Sequence, residues 1–276
     1  MAAIYKGSLL VSIGEKVQEH GEHAEHGSGE IDKFILGHVK DHVRWEINLF
    51  GFDLSITEHV LMLWIAAAIL IIVLPLIIRS RALAPRGPVN FIEWIVVFLK
   101  EGIIDPYLGK DGYKYGPYLL TAFFFILTLN LLGLVPFGAT ATGNISVTAG
   151  MALLTLVLVQ VSSIRKNGFR GYIKNFVPPG LPIFVVPIIF VVEIMGMLTK
   201  HFALAIRLFA NMIAGHLVIF TILGLIFMFK NYLISPFPVL GIIFVSLLEI
   251  LIALIQAYIF TILSAVFIGA ALHPHH

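Results

Sequence analysis

Cysteine is absent from this 276-residue chain. That excludes a disulfide framework, a thiolate metal site and a cysteine nucleophile. Charge is scarce: Asp, Glu, Lys and Arg make up 12% of the residues, about half of the roughly 25% usual in a soluble domain. The net charge of +2 gives no electrostatic case for nucleic-acid binding. The opening MAAIYKGSLLVSIGEK has too short an apolar run for a signal peptide. Neither His-Glu-x-x-His nor Gly-x-Ser-x-Gly occurs, so the usual motifs of an intramembrane hydrolase are missing. What remains is hydrophobic. Apolar residues make up 59% of the chain and the mean hydropathy is +0.97, the composition of an all-α integral membrane protein with several spans.

Residues 1–59 form a polar arm with ten Asp/Glu, five Lys/Arg and a His-rich EHGEHAEHGSGE. This His/Glu tract lacks fixed ligand spacing and reads as a solvated tail, not a metal site. The rest, 60–276, reads as one membrane domain. Spans are expected at 60–78, 118–137 and 147–164, with an interfacial helix at 89–99 whose Glu93 and Trp94 face headgroups. Two over-long apolar segments follow, 181–229 and 236–270. As helices they would be about 74 Å and about 52 Å long, against a hydrocarbon core of about 30 Å. Each must break in two or lie strongly tilted. The obvious break in the first is Thr199-Lys200-His201, and the KNYLISPFP turn makes the pair a hairpin.

Loop charge sets the orientation. The stretch 79–117 holds six Lys/Arg, 138–146 holds none, and 165–180 holds Arg165, Lys166, Arg170 and Lys174. The positive-inside rule puts the two basic stretches in the cytoplasm, or in the matrix of an organelle, and the N-terminal arm outside. The C-terminus is then inside if 181–229 crosses once.

Six ionisable residues fall in the hairpin: Glu193, Lys200, His201, Arg207, His216 and Glu249. Each is costly in hydrocarbon, about 2.5–3.5 kcal/mol on insertion scales for a central Arg, Lys or Asp. One such residue reads as a local packing contact. Six read as an ion path. Glu193, Lys200 and Arg207 are seven apart and share a face, with Asn211 one turn beyond Arg207. Glu249 and Gln256 are likewise seven apart. Asn130 and Gln160 put carboxamides on the second and third spans, where a helix–helix hydrogen bond is the plainer role.

Depth adds a constraint. His216 lies about 13 Å outward of Arg207 along its helix, and Glu249 about 10 Å outward of Gln256 on the antiparallel one. If Arg207 and Gln256 share a depth, His216 and Glu249 meet. An outer polar route then passes through His216 and Glu249, and an inner one through Glu193 and Lys200. Arg207 stands between them. Its guanidinium cannot shed a proton, and no acidic residue lies within a turn of it, so its anion belongs to another subunit.

RLFANMIAGH, with the downstream EILIALIQAYIFTIL and the LTLNLLGLVPF of the second span, resembles subunit a of the F-type ATP synthases over roughly residues 40–270. The resemblance implies five membrane helices plus an interfacial one. The last two would form a steeply tilted hairpin against a ring of c subunits, alongside b-type peripheral stalk subunits. It implies a non-catalytic, proton-translocating stator in a bacterial plasma membrane, or alternatively a mitochondrial inner membrane, without a cofactor or metal of its own. The essential arginine falls on Arg207, facing the ring carboxylate. The family's Asn falls on Asn211, its Gln on Gln256 and its inner-channel Glu on Glu193. Lys200 joins the inner half-channel, and His216, Glu249 and Asn130 the outer one. Many bacterial members carry Glu where His216 stands and His where Glu249 stands. The exchange here matches mitochondrial members. The competing reading is a free-standing secondary transporter, but no internal repeat is visible.

Overall fold

The computed structural model describes residues 43–45, 48–49, 52–53, 56–78, 87–135, 140–174, 176, 182, 184–229 and 236–272. The His-rich tract and the His-Pro-His-His end lie outside them. Two short antiparallel ladders come first, β1 (Val43–Trp45) with β4 (Ile56–Thr57) and β2 (Asn48–Leu49) with β3 (Phe52–Asp53). The long described elements after them are helices: α1 (Glu58–Ile78), α2 (Pro88–Leu99), α3 (Gly112–Gly133), α4 (Ile145–Lys174), α5 (Val186–Phe229) and α6 (Pro236–Leu272). Short turns of π, α and 3-10 geometry join α2 to α3 through Lys100–Asp111. Among the described residues five segments are long and apolar enough to cross a membrane, one of them the run Pro88–Gly133. The fold is that of an all-α polytopic membrane protein.

Local chemistry explains several boundaries. Pro88 opens α2, where its missing N–H costs no helical bond. Pro75 and Pro117 sit inside α1 and α3, which membrane helices tolerate when freed carbonyls find other donors. The carbonyl left without its usual donor by Pro117 is that of Tyr113, in the first turn of α3. Separately, Thr121 Oγ1 donates back to the Pro117 carbonyl at 2.8 Å. Gly168 bends α4 with φ +70°, a backbone that glycine adopts without strain.

Two expected boundaries move. The second span begins earlier than 118 and α3 ends at Gly133. The basic stretch 165–174 is helical, not loop, so Arg165, Lys166 and Arg170 ride on α4. Lys and Arg are good helix formers, and hydropathy ends a span before its helix ends. At Thr199-Lys200-His201, where the sequence left a break or a tilt open, α5 continues without a break.

The described chain divides into two compact units. The smaller one comprises, among described residues, Gly215–Ser246 without the turn: the end of α5 and the start of α6. Here the Ile222 side chain packs against Gly241, where an added Cβ would lie 3.9 Å from Ile222 Cδ1. The larger unit comprises Val43–Ala214 and the chain from Leu247 onward. Its core joins Leu99, Ile103, Leu108, Leu119, Ile126, Leu204, Leu208, Phe260 and Ile268, each buried. Ala66 of α1 packs with Leu129 of α3 and Ala141 in a second cluster. Buried hydroxyls on α6 are satisfied by the preceding turn, Thr261 to Ala257 O and Ser264 to Phe260 O, both 2.8 Å. Gly269 lets α6 touch the α2–α3 connection: a Cβ there would stand 2.5 Å from the Tyr107 carbonyl oxygen. Large apolar side chains such as Ile71 and Leu247 are exposed, as a hydrocarbon solvent permits.

Candidate functional site

On α5, residues His201, Leu204, Ala205, Leu208 and Met212 are buried, the 3–4 spacing of a core-facing stripe. The opposite face is exposed and carries Glu193, Lys200, Ala203, Arg207, Ala210 and Asn211. The acid and the two cations seven residues apart therefore share the outward face. Among the described residues Arg207 has no ion-pair partner. A guanidinium is held there by a helix that packs its other side and leaves this one open.

On α6, Glu249, Ala253, Gln256, Ala257 and Phe260 are buried, again on one stripe. Asn211 Nδ2 donates to Gln256 Oε1 at 2.8 Å, linking α5 to α6 one turn beyond Arg207. From α3, the fully buried Asn130 donates through Nδ2 to the Ala253 carbonyl at 3.5 Å. Three helices thus bring Asn130, Asn211 and Gln256 to one stretch of α6, with Glu249 a further two turns along it. Among the described residues Asn130 Oδ1 and Gln256 Nε2 are buried without a hydrogen-bond partner. Leaving such an atom dry costs about 1–3 kcal/mol.

Gln160 donates through Nε2 to the Met197 sulfur, joining α4 to α5. This is the plain helix–helix role expected of a membrane carboxamide. His216, half-buried on α5, stands with its ring 6.3 Å from that of Phe220. His201 departs from the rest of the ionisable set. It points away from the Lys200 face, with Nδ1 2.9 Å from the Met197 carbonyl and its ring 4.9 Å from that of Phe267. Residues the sequence reading passed over are Ala253, whose carbonyl receives Asn130, and Ala203 and Ala210, which keep the face around Arg207 low. A backbone acceptor leaves no trace in residue identity. The alanines did leave one, at seven-residue spacing. Among the described residues no three His, Asp or Glu side chains converge as a metal site would require.

The family model for the ATP synthase A chain matches residues 60–269, the whole of the helical region but its ends. A protein named ATP synthase subunit a from Chloroherpeton thalassium is 44% identical over an alignment covering all of this chain and 92% of the relative. Those of Chlorobium phaeobacteroides and Anaeromyxobacter dehalogenans are each 42% identical, over 93% of this chain and 80% and 75% of their own lengths. With its membrane-capable helices and its arginine-bearing fifth helix, the chain belongs to the ATP synthase subunit a family.

Proposed function

We propose that this chain is the non-catalytic, proton-translocating stator subunit of a rotary ATP synthase, with two aqueous half-channels separated by Arg207. The observation that carries the reading is the placement of Arg207. It lies on the exposed face of α5 between small alanines, without a counter-ion among the described residues, one turn from the Asn211–Gln256 bond. A permanent cation on an open helix face requires an anion from outside the chain. A carboxylate on a neighbouring ring of c subunits supplies it, and changes with every step of rotation. Arg207 then attracts each deprotonated carboxylate, and its fixed charge blocks protons from crossing directly between the two routes.

In this reading His216 and Glu249 form the outer route, with Asn130, Asn211 and Gln256 along it. Glu193 and Lys200, on the Arg207 face, form the inner route. The ring and b-type stalk subunits are the partners. The membrane is a bacterial plasma membrane, with the N-terminal arm outside and the C-terminus inside. Reconstitution tests the reading against a free-standing transporter. The purified chain alone in liposomes should move no ions under an imposed potential, whereas the complete complex should pump on adding ATP. Saturable transport by the chain alone would overturn it.

A further inference from the structure

The C-terminal end of α6 is held in a closed triangle of contacts. Asn167 of α4 donates through Nδ2 to the Ala271 carbonyl at 3.1 Å. Gly269 lies against the Tyr107 carbonyl of the α2–α3 connection. Lys166, next to Asn167, pairs with Asp111 of that same connection at 2.7 Å. The two walls that grip α6 are therefore tied to each other. Ile268 and Leu272 are buried in the core. Ala271 stands in the last turn of α6, where carbonyls have no intrahelical donor. The Asn167 amide meets that need from another helix. Its other contact, Ser163 Oγ at 3.5 Å, stays within α4 and places nothing on α6. A bond to a backbone acceptor registers the depth of a helix, whatever side chains the helix carries. Asn130 makes a bond of the same kind to Ala253 at 3.5 Å, so the Asn167 bond is the shorter of the pair.

We propose that Asn167 is a positioning residue for proton translocation: by capping Ala271 it fixes the depth of α6, and with it Gln256 and Glu249, against α5. The inference rests on the stator reading above. Because α6 is one helix from Pro236 to Leu272, an axial shift at Ala271 is carried to Gln256, about 22 Å away, and to Glu249, about 33 Å away. A slip of one residue moves both by about 1.5 Å relative to Asn211 and Arg207. Misplacement of that size is enough to slow a transfer step. Glu193 and Lys200 are on α5 and stay where they are. The clasp at the end of α6 thus governs the outer route and leaves the inner one alone.

The test uses the complete complex in liposomes, with ATP synthesis driven by an imposed pH difference and potential. The proton concentration is varied on one side at a time while the other side and the potential are held. Asn167→Leu matches the amide in size and lacks the donor. The proton concentration for half-maximal rate on the outer side should rise about fivefold, the factor one hydrogen bond is worth, because slower loading is offset by more protons. The inner-side value should stay as in the native complex. Asn167→His puts a ring N–H where the amide was and should restore the outer value. Should Asn167→Leu not assemble, Asn167→Ala, smaller and helix-favouring, is read the same way. A purely structural role would lower the yield of assembled complex and leave both half-maximal values unchanged. That result would overturn the inference, as would an equal shift on both sides. A native complex that makes no ATP under these conditions would overturn the stator reading itself, and this inference with it.

Discussion

Asn211 on α5 and Gln256 on α6 are joined by a 2.8 Å hydrogen bond from Nδ2 to Oε1. Gln256 is buried and Asn211 is on the exposed face, so the bond runs from the packed interior of one helix to the open side of the other. It fixes the rotation of α5 one turn from Arg207. The direction of the guanidinium is therefore set by a contact between helices as well as by the packing of Leu204 and Leu208.

That bond predicts a coupling. Asn211→Leu and Gln256→Leu should each reduce ATP-driven pumping. The double variant should lose less than the sum of the two, by about 1 kcal/mol, because the second change removes a partner already lost. Pumping rates in inverted membrane vesicles of normal subunit composition give the four corners of the cycle. Additive losses would show that the bond does not orient α5.

Gly269 makes a prediction about stability instead. Gly269→Ala would place a methyl 2.5 Å from the Tyr107 carbonyl oxygen, a backbone atom that cannot swing aside as a side chain would. A cost of about 1–3 kcal/mol is expected from such overpacking, seen as a lower yield of assembled complex and a lower melting temperature in detergent. Gly150→Ala meets open space and should leave both unchanged.

The outer route predicts a rescue. In the proposed function His216 and Glu249 share a proton path. His216→Glu puts two carboxylates on that path, and Glu249→His puts two imidazoles there. Like groups on one path disfavour a second charge. A carboxylate pair avoids a second negative charge and an imidazole pair a second positive one, so the two pumping optima should move in different directions. The double exchange restores one group of each kind and should recover activity beyond the product of the single effects. A pH series on vesicles from all four forms decides it. Multiplicative losses at every pH would mean that the two residues act independently.

Much of this was legible from residue spacing alone. Runs of 49 and 35 mostly apolar residues, separated by a Pro-containing turn, announce two long helices, and the seven-residue spacing of Glu193, Lys200 and Arg207 announces their common face. The continuity of α5 through Thr199-Lys200-His201 was not legible. It depends on Lys200 facing outward while His201 is covered by Phe267, so that a three-residue polar interruption divides between two faces. The pairing of Asn211 with Gln256 was out of reach as well, since periodicity gives a residue's direction on its own helix and not what another helix brings opposite. The same limit applied to Asn130, whose partner is a backbone carbonyl. His201 could have been set apart sooner. One residue from Lys200 is about 100° of helical rotation, enough to move it off the outward stripe.

The most direct measurement is made on Arg207. In complexes of normal composition carrying Arg207→Ala, ATP-driven pumping and proton-driven synthesis should both be abolished, while passive proton flow through the membrane sector should persist or rise, because the barrier between the routes is gone. Arg207→Lys should also fail or be severely impaired, since Lys loses the planar fork and can shed its proton when desolvated. Fluorescence-monitored proton uptake in inverted vesicles, with and without ATP, reads both effects in one preparation. Full ATP-driven pumping by a correctly assembled Arg207→Ala complex would contradict the account.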